Sequence, residues 1–156
     1  MNSITILKLG GSLITDKSKP YTPRVDIINN LALQIRSAVK ADSNLSLIIG
    51  NGGGSFPHYP AHFYKMKQGI STKRQIMGYA KVQDAAARLN RIIVKALLEA
   101  GVEAVSLQPS SMIIAREGRV AKFFVDPFIE LLKKNIVPVF YGDIVMDTKR
   151  GSTIFS

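Results

Sequence analysis

A layered α/β fold built on a mainly parallel sheet is predicted by three features of the sequence. Short runs of β-branched and apolar residues alternate with amphipathic helical segments along the chain. Several of these runs end directly in polar, glycine-rich loops, and in open α/β sheets ligands bind outside such carboxyl ends. No internal repeat or low-complexity linker interrupts the pattern, and 156 residues suffice for one domain with its own core.

Each element has its own signal. Ile4 to Leu9 is a β-branched apolar run and is expected to be a buried strand, ending at Gly10-Gly11. Thr22-Pro23 predicts a helix cap followed by proline at the first helical position. Val25, Ile28, Leu31, Ile35 and Val39 then recur on one helical face. Leu45 to Ile49 is a second strand running into Gly50-Asn51-Gly52-Gly53-Gly54. A long helix is predicted from about Thr72 to Ala100, with Ile76, Ala80, Ala87, Ile93, Val94, Leu97 and Leu98 as its apolar positions and Gly101 as its C-terminal cap. Ala104 to Leu107 reads as a strand and Gln108 to Ser111 as a turn. Met112 to Ala115 and Val120 to Val125 pair across Arg116 to Arg119. Asp126-Pro127 opens another helix, ending near Asn135. Ile136 to Phe140 is a strand running into Gly142-Asp143, and Ile144 to Met146 pairs with Thr153 to Phe155.

Composition narrows the function classes. There is no cysteine, so disulfides and thiolate metal sites are excluded, which fits a cytoplasmic protein. Two histidines, His58 and His62, are too few for a dedicated zinc site. No apolar run approaches the ~18–20 residues of a membrane span, and the opening MNSITILKLGG reads as a strand and not as a signal peptide. The net charge of +10 suggests an anionic partner: nucleic acid, a membrane surface or a phosphorylated small molecule. The basic residues are scattered, without a run of the nucleic-acid type.

Three loops carry the candidate chemistry. Lys8-Leu9-Gly10-Gly11-Ser12, with Lys17 beyond it, offers backbone N–H groups and a cation to phosphate oxygens. It is neither a P-loop nor a Rossmann fingerprint, and taken alone it equally describes a tight turn. Gly50 to Gly54 holds four glycines in five positions, followed by Ser55-Phe56-Pro57-His58. Such a loop is entropically costly to order, and its backbone can form an anion nest with His58 beside it as hydrogen-bond donor or proton carrier. Gly142-Asp143 places an acid at a strand end, where it suits a hydroxyl, a metal, an amine or a simple turn. Phosphoryl transfer asks for this equipment: positioning, N–H donors and lysines, with no covalent nucleophile.

KLGGS, a glycine-rich loop after the second strand and a late Gly-Asp together resemble the amino acid kinase superfamily. KLGGSLITDK, GNGGGSFPH, RLNRIIVKALLEAGVEAVSLQPSS and VPVFYGDIVMDTKRGSTIFS are similar to the isopentenyl phosphate kinase family within it. The resemblance implies an α/β/α sandwich and phosphorylation of isopentenyl phosphate to isopentenyl diphosphate with ATP and Mg2+. It implies that Lys8, Gly10, Gly11, Ser12 and Gly54 meet the ATP phosphates and that Lys17 stabilises the transferring group. Gly53, His58, Gly142 and Asp143 would serve the acceptor, with Tyr79 or Val82 along its tail. No protein-bound metal, nucleic acid or membrane is implied, and a homodimer through this lobe is. Where the family has glycine before the histidine, this chain has Pro57, which lacks an N–H. Family members continue past the position of Ser156 into a nucleotide-binding lobe, so residues 1–156 are expected to form a single acceptor-binding lobe with little kinase activity alone. Another superfamily kinase with a different acceptor, and a non-catalytic anion- or nucleic-acid-binding module, are the alternatives.

Overall fold

Residues 3–156 are described by a computed structural model. The first strand, β1 (Ile4–Leu9), lies parallel to β2 (Ser46–Asn51), with Lys8 opposite Gly50 and Leu9 opposite Asn51. β6 (Val137–Tyr141) and β3 (Ala104–Leu107) complete a four-stranded parallel sheet in the order β1-β2-β6-β3. A second sheet, in the order β5-β4-β7-β8, joins β4 (Ile113–Arg116), β5 (Arg119–Phe123), β7 (Asp143–Asp147) and β8 (Gly151–Phe155). Only β4 and β7 are parallel there, and both predicted hairpins form. Between β6 and β7 the chain crosses from one sheet to the other through the single residue Gly142.

Two helices cover one face of the parallel sheet. α2 (Val25–Ala41) contributes Ile28, Ala32 and Ile35, and α4 (Lys73–Glu99) contributes Leu89, Ile93, Val94 and Leu97. They meet Leu9, Leu47, Ile49, Val137 and Val139 from the strands. Each such large side chain, fully buried, contributes about 1.5–3 kcal/mol. On the other face, α5 (Asp126–Leu132) sets Phe128 against Phe140, ring centroids 5.3 Å apart. This is the layered α/β arrangement expected.

Several expectations are corrected. β1 is an edge strand, and Ile4 and Ile6 are 51% and 74% exposed because no described element packs over them. Helix α2 begins at Val25, one turn-forming step later than Thr22-Pro23 suggests, because Pro23 is drawn into a bridge with Thr15. α5 stops at Leu132, three residues before Asn135, which takes φ 56° in the turn into β6. Ile76, Ala80 and Leu98 of α4 are exposed. The helix's first half packs on α3 (Ser55–Phe63) and the segment after it, with Gly78 against Tyr64 and Met66 and Val82 clustered with Met66 and Ile144, so its buried stripe is rotated from the one that faces the sheet. The end of α4 is as expected: Gly101, at φ 81°, donates to Leu98 O while Val102 donates to Leu97 O, a Schellman pair.

Two helices were not foreseen. α1 (Gly11–Ile14) is a single turn directly after β1. α3 carries Pro57 and Pro60, residues that argue against a helix. Pro57 falls in the first turn, where the N–H has no intrahelical partner to lose.

Candidate active site

Strand ends converge at one edge of the parallel sheet. Gly52 N donates to Leu9 O at 2.9 Å, and Gly142 N donates to Asn51 O at 2.8 Å, so the chain leaving β1, β2 and β6 is tied together by backbone bonds. Gly10-Gly11 and Gly52-Gly53-Gly54 then touch backbone to backbone. A Cβ on Gly11 would stand 2.5 Å from Gly54 N and 2.7 Å from Gly54 Cα. One on Gly52 would stand 2.9 Å from Gly11 N, and one on Gly53 would overlap the Pro57 ring. Gly54 has φ 54° and ψ −139°, a region open essentially to glycine alone.

The loops spend some of their donors internally. Leu13 and Ile14 donate to Gly10 O, Thr15 to Gly11 O, and Phe56 to Gly53 O. Ser55 N donates to Thr15 Oγ1 at 3.0 Å. The N–H groups of Gly11, Ser12, Gly53 and Gly54 donate to no oxygen among the described residues. These four, beside the N-terminus of α3, can receive an anion.

Cationic side chains stand around this edge. Lys8 is exposed near the end of β1. Lys17 is exposed in a turn shaped by Asp16, whose Oδ1 accepts Ser18 N at 2.9 Å and Ser18 Oγ at 2.7 Å. Those bonds hold the Asp16 carboxyl below the usual carboxylate range. The same loop returns to α3, where Tyr21 N donates to Ser55 O and Thr22 N to Ser55 Oγ. His58 is exposed one turn into α3. The loss of the Pro57 N–H removes a donor of the first turn and leaves those of Gly53 and Gly54.

Gly142 lies at the same edge, but the Asp143 carboxylate is engaged by the chain. It is 1% exposed, its Oδ1 accepts Ile144 N at 2.8 Å, and its Oδ2 accepts Ser110 N at 3.1 Å. Burial pushes its pKa up, against the pull of those hydrogen bonds. Its nearest chemical duty is to hold the 3-10 turn Pro109–Ser111. Tyr79 and Tyr141 lie within its field, and burial first, then Asp143, raises both phenols above their ordinary value; a Gln83 hydrogen bond opposes this at Tyr141. Val82 is fully buried against Met66 and Ile144, whereas Tyr79 is half-buried.

Behind the glycine loop runs a buried polar chain that the sequence reading passed over. Ser106 Oγ donates to Asn90 Oδ1, Asn90 Nδ2 donates to Asn51 Oδ1 at 3.0 Å, and Asn51 Nδ2 donates to Gly52 O at 3.2 Å. It ties β3 and α4 to the loop. A signal existed: Asn90 interrupts the apolar stripe between Leu89 and Ile93. Thr15 and Ser55 carried no comparable signal, because their roles come from contact across the fold.

Comparison with known proteins gives a consistent set of relatives. The pattern described as the amino acid kinase family matches residues 3–156. Isopentenyl phosphate kinase of Methanocaldococcus jannaschii is 38% identical over 98% of this chain and 60% of its own length. The isopentenyl phosphate kinase of Methanothermobacter thermautotrophicus is 38% identical over 93% of this chain and 55% of its own length. A solved isopentenyl phosphate kinase structure superposes with a TM-score of 0.87 at 34% identity, covering 97% of this chain and 63% of that one. The chain thus spans 55–60% of the length of these two curated relatives.

Proposed function

The chain belongs to the amino acid kinase family, and from that premise we propose that residues 1–156 are the acceptor-binding lobe of an ATP-dependent kinase converting isopentenyl phosphate to isopentenyl diphosphate. One observation carries the reading: two glycine loops in backbone contact present four uncommitted N–H groups, with His58 one turn down the adjoining helix.

In this reaction an oxygen of the acceptor phosphate attacks the γ-phosphorus of ATP. A new P–O bond forms as the bond to ADP breaks, and charge is shared among the equatorial oxygens. Lys8, Gly10, Gly11, Ser12 and Gly54 are assigned to the ATP phosphates and Lys17 to the transferring group. Gly53 and His58 are assigned to the acceptor phosphate, and Gly142 to the border of the acceptor pocket. Asp143 supports that pocket through the Ser110 turn. Backbone donors fixed before the substrate arrives need no reorganisation as charge develops. No group of three or more His, Asp or Glu among the described residues is arranged to hold a metal. Mg2+ is assigned to the nucleotide's phosphates, since this ion is usually held through substrate phosphates, waters and one or two carboxylates. No described helix is long and apolar enough to cross a membrane. A cytoplasmic homodimer is the proposed form.

Calorimetric titration of the chain with isopentenyl phosphate tests the reading without requiring turnover. Saturable binding is expected, with competition by inorganic phosphate and none by a carboxylate acceptor such as aspartate. His58→Ala should weaken binding by about 10- to 100-fold, the range for a hydrogen bond to a charged group, with no loss of thermal stability. Absence of binding to the unmodified chain would overturn the function. Unchanged affinity in the His58 variant would remove that residue from the site.

A further inference from the structure

Thr15 is fully buried at the seam between the two glycine loops. Its hydroxyl donates to Gly11 O at 2.7 Å and accepts Ser55 N at 3.0 Å. A single oxygen thereby joins the turn of α1 to the first residue of α3, 40 positions away in the chain. Ser55 extends the junction, since its carbonyl accepts Tyr21 N at 3.4 Å and its hydroxyl accepts Thr22 N at 3.3 Å. The loop that carries Lys17 is thus pinned at the same point. Gly54 fits only because it has no side chain, for a Cβ there would overlap Thr15 Oγ1.

We propose that Thr15 is a positioning residue that sets the spacing of the two phosphate-facing loops through its two hydrogen bonds. It touches no phosphate itself. With the Ser55 N–H taken, Gly53 and Gly54 keep the uncommitted donors of their loop, and by holding Gly11 O the hydroxyl fixes the donors of the other. Loss of the hydroxyl would leave Ser55 N unpaired in a buried place, a strong drive for the loops to separate. Displacements near 1 Å are enough to degrade a site that works by alignment. The inference rests on the phosphate-kinase reading for its ligand.

The test is a titration of the 15N-labelled chain with isopentenyl phosphate, followed by NMR. In the unmodified chain the amides of Gly11, Ser12, Gly53 and Gly54 should shift along one isotherm. Thr15→Val keeps the shape without the hydroxyl and should bind about tenfold more weakly, with the two loops no longer shifting together. Thr15→Ser should restore both affinity and coincidence. A valine variant that binds like the parent, or a serine variant no better than valine, would overturn the proposal. Hydrogen exchange on the unmodified chain is independent of ligand and of variant folding. The Ser55 amide should be protected like those of β2, and exchange at the rate of an exposed loop would equally overturn it. Failure of the parent chain to bind isopentenyl phosphate, with Ser55 protected, would instead count against the function and leave the junction in place.

Discussion

The glycine-loop edge and the corner around Asp147 both gather backbone N–H groups, but around different anions. At the corner the anion belongs to the chain. Asp147 Oδ1 accepts the N–H groups of Glu117, Lys149 and Arg150 at 3.1, 2.9 and 2.9 Å, and Oδ2 accepts Gly118 N and Thr153 Oγ1, both at 2.8 Å. The β4–β5 turn and the β7–β8 turn are thereby fastened to one carboxylate. At the loop edge, four N–H groups donate to no oxygen among the described residues. A nest that closes on its own acid stabilises a fold. A nest built from glycines, with no acid of the described chain bonded to it, is equipped for an anion from outside.

The largest effect is expected from removing the internal anion. Asp147→Asn turns an amide NH2 toward donors, so the melting temperature should fall on the order of 10 °C. The folded fraction should still bind isopentenyl phosphate like the parent. Burial pushes the Asp147 carboxyl up, and the bonds from Arg150, Gly118, Lys149 and Thr153 more than reverse this, leaving its pKa well below the usual range. A depressed folded pKa gives stability that is fully present above the unfolded value of about 4 and lost as pH falls toward the folded value. Thermal melts taken as pH falls below about 4 should therefore lose stability in the parent and show a smaller loss in the variant. Equal slopes would deny Asp147 its role.

Gly54→Ala should give the opposite signature. The added Cβ meets Thr15 Oγ1 and forces a non-glycine residue into φ 54°, ψ −139°. Affinity for isopentenyl phosphate should fall at least about a hundredfold, since both loops move, while melting temperature changes less than in Asp147→Asn. A variant that melts early and binds normally would place Gly54 with the structural corner.

How much of this contrast was legible in sequence follows from the range of each interaction. The glycine-loop edge was legible because its parts are local: strands ending in Gly10-Gly11, Gly52 to Gly54 and Gly142 are contiguous patterns with a known physical use. The fold class followed from the same alternation. Asp147 carries no such local signal, because its donors come from Glu117 and Gly118, some 30 positions upstream, as well as from its own turn. Thr15 and the Asn51–Asn90–Ser106 chain stayed hidden for the same reason. α3 was missed because Pro57 and Pro60 speak locally against a helix, whereas packing on α4 holds it. Ile4 and Ile6 misled in the other direction, since β-branched residues signal a strand without saying which face is covered.

The smallest effect is expected where an anion has a cation and no nest. Asp84 and Arg88 approach to 3.5 Å one turn apart on α4, with side chains 62% and 54% exposed. Arg88 also lies 4.8 Å over the Tyr21 ring, so it keeps a partner when the carboxylate is removed. Water and salt screen such a pair, and exposed i,i+4 pairs contribute about 0.3–0.5 kcal/mol. Asp84→Ala should therefore lower the melting temperature by about 1–2 °C, and that difference should shrink in high salt. Isopentenyl phosphate binding should be unchanged. The three carboxylate and glycine variants then separate by mechanism: five directed donors at Asp147, a steric and backbone constraint at Gly54, and a screened point charge at Asp84. A loss at Asp84 as large as that at Asp147 would mean that charge itself, and not convergence of N–H groups, sets the stability of this strongly basic chain.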